Sequence, residues 1–138
     1  MAPVLAVNMK IYLDIDGVLV GRGRKPAPYV VEFLKKATEN HDCHWATTHC
    51  KGDTVPVMDY IKGILPVEAI EYCKLIKAIE WSHKKTEIFD YESDFLWFED
   101  APFEFEKEVL AQHDKSDSLV LVDLINNPNH LRELIKLI

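Results

Sequence analysis

A short apolar stretch that runs into two carboxylates and a glycine constrains this fold more than any other feature. Residues 10–14 have the composition of a strand, Asp14 and Asp16 are separated by one residue, and Gly17 follows. Glycine permits a backbone turn that a residue with a Cβ resists. At the end of a strand in an open α/β sheet, Asp14 would stand where such sheets bind ligands, and Asp16 would start from the same face. Taken alone, an Asp-x-Asp pair is commonly a polar turn, so its meaning depends on the other strand ends.

Length and composition indicate one globular domain over residues 1–138. A chain of 138 residues can bury a core of its own, about two-thirds of its unfolded surface. The 48% hydrophobic and 28% charged fractions are typical of globular proteins. No apolar run approaches the roughly 18 residues of a membrane span. Residues 1–7 lack a basic start and are too short for a secretory signal, so we interpret them as a floppy leader or an extra strand.

The cysteines indicate a reducing compartment. The chain has three of them, Cys43, Cys50 and Cys73, with no Cys-x-x-Cys pair. An odd number without such a pair favours free thiols over a disulfide framework. We therefore expect a cytoplasmic protein.

The charge balance disfavours a general affinity for anionic polymers and surfaces. The formal net charge is −7 at pH 7, so nucleic acid or an anionic membrane would be repelled overall. One compact basic cluster, Arg22, Arg24 and Lys25, has no acidic residues among its members. Two interpretations stay open for it, a solvated loop and a contact to phosphate or substrate. Nucleic acid is thus a partner that net charge does not favour, and no membrane partner is expected.

Hydrophobic periodicity predicts strands that alternate with helices. The predicted strands cover residues 10–14, 43–47, 94–98 and 118–122, and the predicted helices cover 29–40, 54–64, a short piece ending near 91, 103–112 and 129–138. Residues 66–81 fit a helix imperfectly, and a short extended piece over 69–72 is the alternative. Strands separated by helices imply an α/β fold with a mainly parallel sheet and crossover connections.

Polar residues follow several of the predicted strands and one helix start. They are Asp14 and Asp16 after the first strand, Thr47 and Thr48 after the second, Lys84 and Lys85 at a helix start, and Glu99 and Asp100 after the third strand. Because the carboxyl ends of parallel strands share one edge of a sheet, this ordered set is more specific than any member.

At this point the chain resembles the haloacid dehalogenase-like (HAD) phosphohydrolase superfamily. The four motifs of that family match Leu13-Asp14-Ile15-Asp16-Gly17-Val18-Leu19, Trp45-Ala46-Thr47, Lys85 or Lys84, and Phe98-Glu99-Asp100. The similarity spans residues 9 to about 125. The resemblance implies a single Rossmann-like three-layer domain and a Mg²⁺-dependent phosphatase that acts through an aspartyl-phosphate.

The resemblance also implies a role for each matching residue. Asp14 would be the nucleophile and, with Asp100, a direct Mg²⁺ ligand, while the backbone carbonyl of Asp16 would be a third ligand. The Asp16 side chain would protonate the leaving oxygen and later activate water. Lys85 would neutralise the phosphoryl oxygens and keep the carboxylates ionised, and Thr47 would donate a hydrogen bond to the same oxygens.

Alternatives remain within these motifs. Many relatives have two aspartates or Gly-Asp in the fourth motif, so we expect Asp100 to bind the metal and Glu99 to lie further out. Lys84 competes with Lys85 for the third motif, because one residue turns a helical side chain by about 100°. Thr48 is the lesser alternative to Thr47, since adjacent strand residues point to opposite faces.

The spacing of the motifs leaves no room for a large cap domain. The chain between Gly17 and Trp45 can hold a loop and one helix, and the chain between Thr48 and Lys84 can hold a helix and a small extra element. By family analogy, such an open site suits a phosphate on a macromolecule, including a nucleic-acid end. The sequence specifies neither the substrate nor the oligomeric state.

Four other interpretations have to be weighed. A zinc site is conceivable from His41, Cys43, His44, His49 and Cys50, but the spacing fits no standard pattern, and His49 can instead line the site's rim. Aromatic residues inside predicted strands are expected in the core and not on a stacking surface.

The alternative functions are a receiver-type phospho-acceptor module, whose accepting aspartate lies on a later strand, and a non-catalytic binding protein of HAD-like fold.

Overall fold

The computed structural model describes residues 8–138, and residues 1–7, interpreted above as a leader or an extra strand, lie outside the described residues. The strands are β1 (Lys10–Leu13), β2 (Asp42–Trp45), β3 (Phe95–Glu99) and β4 (Leu119–Leu121). The α-helices are α1 (Val30–Asn40), α2 (Val55–Ile61), α3 (Val67–Cys73), α4 (Glu104–Gln112) and α5 (His130–Leu134). Short 3-10 helices cover Arg22–Arg24, Lys85–Ile88, Ser116–Ser118 and Ile135–Leu137.

The four strands form one parallel sheet in the order β2-β1-β3-β4. Leu13, the last residue of β1, is in register with Trp45 on one side and with Phe98 on the other. β1, the strand that leads into Asp14, therefore lies between β2 and β3, and its carboxyl end is level with the carboxyl ends of both neighbours. The predicted α/β class with a parallel sheet is confirmed.

Alternation along β1 divides the core between the two faces of the sheet. Ile11 and Leu13 are buried on one face with residues of α1, α2, α3 and α5. Tyr12 is buried on the other face with Phe95, Trp97 and a residue of α4. Since a strand's side chains point alternately to its two faces, this split is what a sheet with helices on both sides requires. The three-layer arrangement predicted from the sequence is confirmed.

The connections between strands are short helices, as the spacing of the motifs predicts. Between β1 and β2 lie only the 3-10 helix Arg22–Arg24 and α1, and between β2 and β3 lie α2, α3 and the 3-10 helix Lys85–Ile88. No cap domain is inserted in this part of the described chain. In the described chain no large domain covers the carboxyl edge of the sheet, and short elements reach it, among them α2 and the 3-10 helix Lys85–Ile88.

Residues 66–81 differ from the extended alternative. Residues 67–73 form α3, with Ala69 and Cys73 buried one helical turn apart against the core. An extended segment exists further on, where Lys77 pairs in parallel with His44 at the outer edge of β2. The backbone N–H of Trp45 donates to the carbonyl oxygen of Lys77 at 2.9 Å, so this residue satisfies the edge strand.

The aromatic strand residues are buried, as predicted. Exposure is 1% for Trp45, 0% for Trp97, 2% for Phe95 and 0% for Phe98, so none of them offers a stacking surface.

The three cysteines are free and buried, in agreement with the expected free thiols. Within residues 8–138, no helix combines the length and the apolar composition needed to cross a bilayer.

The histidine that follows α1 makes stability depend on pH. His41 is 7% exposed, and neither of its ring nitrogens has a hydrogen-bond partner among the described residues. Burial lowers the pKa of His41 below its usual 6.5, and the charge of Lys36 lowers it further. As the pH falls, His41 is therefore protonated in the unfolded chain before it is protonated in the folded protein. The contribution of His41 to stability is complete above about pH 6.5 and is lost progressively below it.

We predict that the contribution of His41 to the free energy of unfolding falls as the pH drops below 6.5, so that wild type loses more stability over this range than His41→Gln does. Urea titrations across the mildly acidic range measure it. His83→Gln, at an exposed histidine, serves as the control and is expected to keep the wild-type slope. Parallel pH dependences for wild type and His41→Gln would contradict the prediction.

Candidate functional site

Asp14 stands directly after β1, at the carboxyl edge of the sheet. Its backbone N–H donates to the carbonyl oxygen of Phe98 at 3.2 Å, which continues the pairing with β3 one residue beyond the strand. The side chain is 13% exposed. Its Oδ1 accepts the N–H of Ile15 at 2.8 Å, so one carboxylate oxygen is held by the local backbone. The second oxygen is left to face the site.

Three carboxylates meet at this edge. Oxygens of Asp14, Glu99 and Asp100 lie within 4.8 Å of one another. The pairing of β1 with β3 causes this, because Asp14 follows the residue in register with Phe98 and the two acids follow Phe98 in the chain. Like charges at this separation repel strongly when they are partly withdrawn from water. A cation is therefore needed for all three to be ionised together.

Lys85 supplies one positive charge to this cluster. Its Nζ donates to Oε2 of Glu99 and lies 3.9 Å from Oδ2 of Asp14, and its side chain is 12% exposed. Burial alone would lower the pKa of Lys85, but Asp14 and Glu99 outweigh that effect and raise it. Lys84 is exposed, and its Nζ lies 5.5 Å from the ring of Phe105. Of the two candidate lysines, the structure brings Lys85 to the carboxylates.

Glu99 lies deeper than the sequence indicates. We expected it further out than Asp100, yet its carboxylate belongs to the same cluster and the residue is only 3% exposed. Besides its contact with Lys85, Glu99 accepts through Oε1 the N–H groups of Asp100 at 3.1 Å and Ala101 at 3.4 Å. Burial and the nearby Asp14 raise the pKa of Glu99. Because both carboxylate oxygens have partners, Glu99 is suited to hold in place both Lys85 and the loop that begins at Asp100.

Asp100 is the exposed member of the cluster. Partial burial, followed by the nearby Glu99, raises the pKa of Asp100 to about 6. Its side chain lies against the backbone of Gly17, which has φ of 81°. A Cβ at Gly17 would collide with this carboxylate. Glycine is thus required at position 17 both for its backbone conformation and for the approach of Asp100.

The donor set fits a hard divalent cation. Its three carboxylates outnumber the single ammonium group of Lys85 by two charges, and all the candidate ligand atoms are oxygens, which Mg²⁺ prefers. Asp14 and Asp100 have oxygens available for it. The predicted third ligand, the backbone carbonyl of Asp16, follows Asp14 by two residues.

The alternative zinc set does not come together. Within residues 8–138, Asp14, Glu99 and Asp100 form the one group of three or more candidate ligand side chains. Cys43 and Cys50 are instead buried in the hydrophobic core.

Asp16 turns its carboxylate away from the cluster. The side chain is 54% exposed, and Oδ2 lies 3.0 Å from Nε2 of His49. The hydroxyl of Tyr60, on α2, donates to Oδ1 at 2.5 Å. The rings of His49 and Tyr60 stack with centroids 4.1 Å apart, and Arg24 lies 5.2 Å from the Tyr60 ring. Asp16 is thus held from two sides while one face stays open.

Thr47 follows β2 and is only 1% exposed. Its Oγ1 accepts the N–H of His49 at 3.3 Å, which is its one side-chain hydrogen bond among the described residues. The structure places it on the same sheet edge as Asp14, because the neighbouring Ala46 donates its N–H to the carbonyl of Leu13 at 2.8 Å. Thr48 is exposed. The contact predicted between Thr47 and a phosphate stays a prediction.

Sequence reasoning missed Tyr60 and Glu106. Tyr60 is 44 residues from Asp16, and no spacing rule links a helix residue to a carboxylate so far away. Glu106 is 3% exposed and accepts the N–H of Phe103 at 2.8 Å at the start of α4. The acidic residue three positions into a helix is the signal that could have found this cap.

Comparisons with protein-family models, with curated proteins and with solved structures find no match for this chain.

We predict that Mg²⁺ stabilises the folded protein through this cluster. At a concentration of about 100 times Kd, the gain in unfolding free energy is about 2.7 kcal/mol. Asp100→Asn removes an available ligand and is expected to lose most of this gain, whereas Asp94→Asn, at a residue whose side chain is 96% exposed, keeps it. Denaturant unfolding with and without Mg²⁺ measures the effect. Full Mg²⁺ stabilisation of Asp100→Asn would contradict the assignment.

Proposed function

We propose that the protein is a Mg²⁺-dependent phosphohydrolase that cleaves phosphate monoesters through an aspartyl-phosphate on Asp14. The observation that supports this best is the convergence of Asp14, Lys85 and Asp100 at one edge of a parallel sheet. Strand ends of open α/β sheets bind ligands at this edge. A carboxylate nucleophile, a neighbouring cation and oxygen ligands for a metal are what phosphoryl transfer to an aspartate needs.

The reaction has two steps. In the first, a carboxylate oxygen of Asp14 forms a bond to phosphorus, the bond from phosphorus to the ester oxygen breaks, and Asp16 gives its proton to the departing oxygen. In the second, Asp16 takes a proton from water, the water oxygen bonds to phosphorus, and the bond to Asp14 breaks to release phosphate. Asp14 and Asp16 end each cycle unchanged.

The surrounding groups supply charge. Lys85, 3.9 Å from Asp14, offsets negative charge on the phosphoryl oxygens and on the nucleophile. Mg²⁺ held by Asp14, Asp100 and the Asp16 carbonyl would reduce the repulsion between the nucleophile and the phosphate dianion. Thr47 adds a neutral hydrogen-bond donor in this proposal.

Asp16 needs a fixed orientation to move protons between the ester oxygen and water. Tyr60 and His49 contact its two carboxylate oxygens, and their stacked rings restrain each other. We therefore assign both as positioning residues for Asp16. Because the Asp16 side chain is half exposed, its free face can reach the substrate.

The proposed setting is the cytoplasm. The three free cysteines support a reducing compartment. The net charge of −7 supports a phosphorylated substrate other than a long polyanion.

We predict that the wild type hydrolyses p-nitrophenyl phosphate only with Mg²⁺, and that Asp14→Asn lowers kcat at least about a thousandfold, because an amide is not a nucleophile. Asp94→Asn is the matched control and keeps the wild-type rate. Equal rates for wild type and Asp14→Asn would exclude Asp14 as the nucleophile.

Two outcomes would favour the other functions. Labelling by acetyl phosphate that persists in Asp14→Asn, and that disappears when another aspartate is replaced, would support a phospho-acceptor module. Binding of Mg²⁺ without turnover of any phosphate monoester would support a binding protein.

A second prediction uses the basicity of the leaving group. p-Nitrophenolate departs without a proton, whereas the alkoxide of glycerol phosphate needs one, so Asp16→Asn is expected to lower kcat for glycerol phosphate by about a hundredfold or more and that for p-nitrophenyl phosphate far less. Tyr60→Phe removes one hydrogen bond to Asp16 and is expected to lower kcat for glycerol phosphate about tenfold.

The control for Tyr60→Phe is Tyr72→Phe, which removes a hydroxyl from α3 that makes no side-chain hydrogen bond among the described residues. Steady-state kinetics with both substrates measures these effects. If Asp16→Asn slows the two substrates equally, Asp16 is not the proton donor to the leaving oxygen.

A further inference from the structure

A pocket of about 550 Å³ opens beside the carboxylate cluster, and the proposed phosphoryl transfer assigns no role to the pocket as a whole. Asp16 and Asp100 are among the residues that line it. The segment 121–125, which begins at the last residue of β4, also lines the pocket, as do Arg22 and Arg24 of the 3-10 helix after β1. Its volume falls in the range of small-molecule sites, about 300–1,000 Å³.

The segment 121–125 contributes aliphatic residues to this pocket. Ile125 is 74% exposed and Leu121 is 52% exposed, although both are large and apolar. Leu124 and Val20 also line the pocket. Clustered apolar exposure beside a polar site marks a binding surface more often than scattered apolar residues do. These four lining residues, Val20, Leu121, Leu124 and Ile125, are together called the aliphatic wall.

The arginines are available to an anion. Within residues 8–138 neither Arg22 nor Arg24 forms an ion pair, and Arg24 instead lies over the ring of Tyr60. The other acid that lines the pocket, Asp123, has both carboxylate oxygens hydrogen-bonded to Asn126. In a protein with a net charge of −7, a pair of guanidinium groups without carboxylate partners is suited to recognise a carboxylate or phosphate of a ligand.

The position of Asp16 decides which part of a substrate the pocket receives. In the proposed reaction, on which this inference rests, Asp16 protonates the leaving oxygen, so the organic part of the ester extends from the phosphate on the Asp16 side. We infer that the pocket binds the leaving group of a small phosphate monoester, with an apolar face against the aliphatic wall and a second anionic group at Arg22 and Arg24.

A polynucleotide fits this pocket less well. Single-stranded nucleic acid is bound largely by stacking of bases on aromatic side chains. No aromatic residue is among those that line the pocket within the described chain. The aliphatic wall is instead suited to a small hydrophobic group.

The test uses three substrates, glycerol phosphate, naphthyl phosphate and carboxynaphthyl phosphate, each with Mg²⁺. Ile125→Ser shortens the aliphatic wall and is expected to raise KM for both naphthyl esters on the order of tenfold, with kcat and the constants for glycerol phosphate within about twofold. Arg22→Gln is expected to raise KM for carboxynaphthyl phosphate alone, by a similar factor. Comparing each variant with wild type on the same ester cancels differences in intrinsic reactivity.

Matched controls lie outside the pocket. Leu75→Ser changes a leucine that is 58% exposed, and Arg132→Gln changes the third arginine of the chain; both are expected to keep wild-type constants. Identical effects of Ile125→Ser and Leu75→Ser would overturn the assignment of the aliphatic wall. A phosphorylated oligonucleotide with a higher kcat/KM than carboxynaphthyl phosphate would overturn the small-molecule assignment.

A binding measurement separates this inference from the proposed function. Carboxynaphthyl phosphonate cannot be hydrolysed, and calorimetry with Mg²⁺ is expected to give a Kd raised on the order of tenfold by Ile125→Ser and by Arg22→Gln, but not by the controls. Hydrolysis of p-nitrophenyl phosphate with unchanged phosphonate binding in both pocket variants overturns the pocket alone. Absence of any hydrolysis overturns the proposed function, and the calorimetry still decides the pocket.

Discussion

The buried contact of Lys85 with Glu99 and Asp14 is the interaction on which the site depends. Its ammonium group bonds to Glu99 and lies 3.9 Å from Asp14, with both partners largely withdrawn from water. Removing one member of such a group leaves an uncompensated charge, which typically costs about 3–5 kcal/mol. One lysine does not balance the carboxylates of Asp14, Glu99 and Asp100, so this cluster has the negative charge and the oxygen atoms to hold a cation.

The sheet topology brings this charge cluster together. Asp14 directly follows β1, and the register of β1 with β3 places it beside the pair Glu99 and Asp100. Gly17 then turns the chain sharply and lets Asp100 approach the backbone. The turn also directs Asp16 away from the carboxylates toward Tyr60 and His49. Two adjacent regions result, one with concentrated negative charge and one with a positioned carboxyl group next to a pocket.

Residues next to strand ends were the ones that the sequence could locate. The position of Asp14 and Asp100 at one edge follows from alternating strands and helices, because parallel strands end on the same side. Tyr60 could not be found in this way, since its contact with Asp16 depends on how α2 packs. The depth of Glu99 depends on the partners of both its oxygens, and those come from a separate 3-10 helix and the following loop. Packing and charge pairing over long sequence separations were thus the missing information.

The most direct test of this account is to trap the covalent intermediate on Asp14. Borohydride added during turnover of p-nitrophenyl phosphate with Mg²⁺ reduces an acyl phosphate to the alcohol, so aspartate becomes homoserine. Peptide mass spectrometry then locates the reduced residue. Homoserine is expected at position 14 and at no other aspartate, and none is expected when Mg²⁺ or the substrate is omitted. Reduction at a different aspartate, or turnover with no reduced residue, would contradict the central role of Asp14.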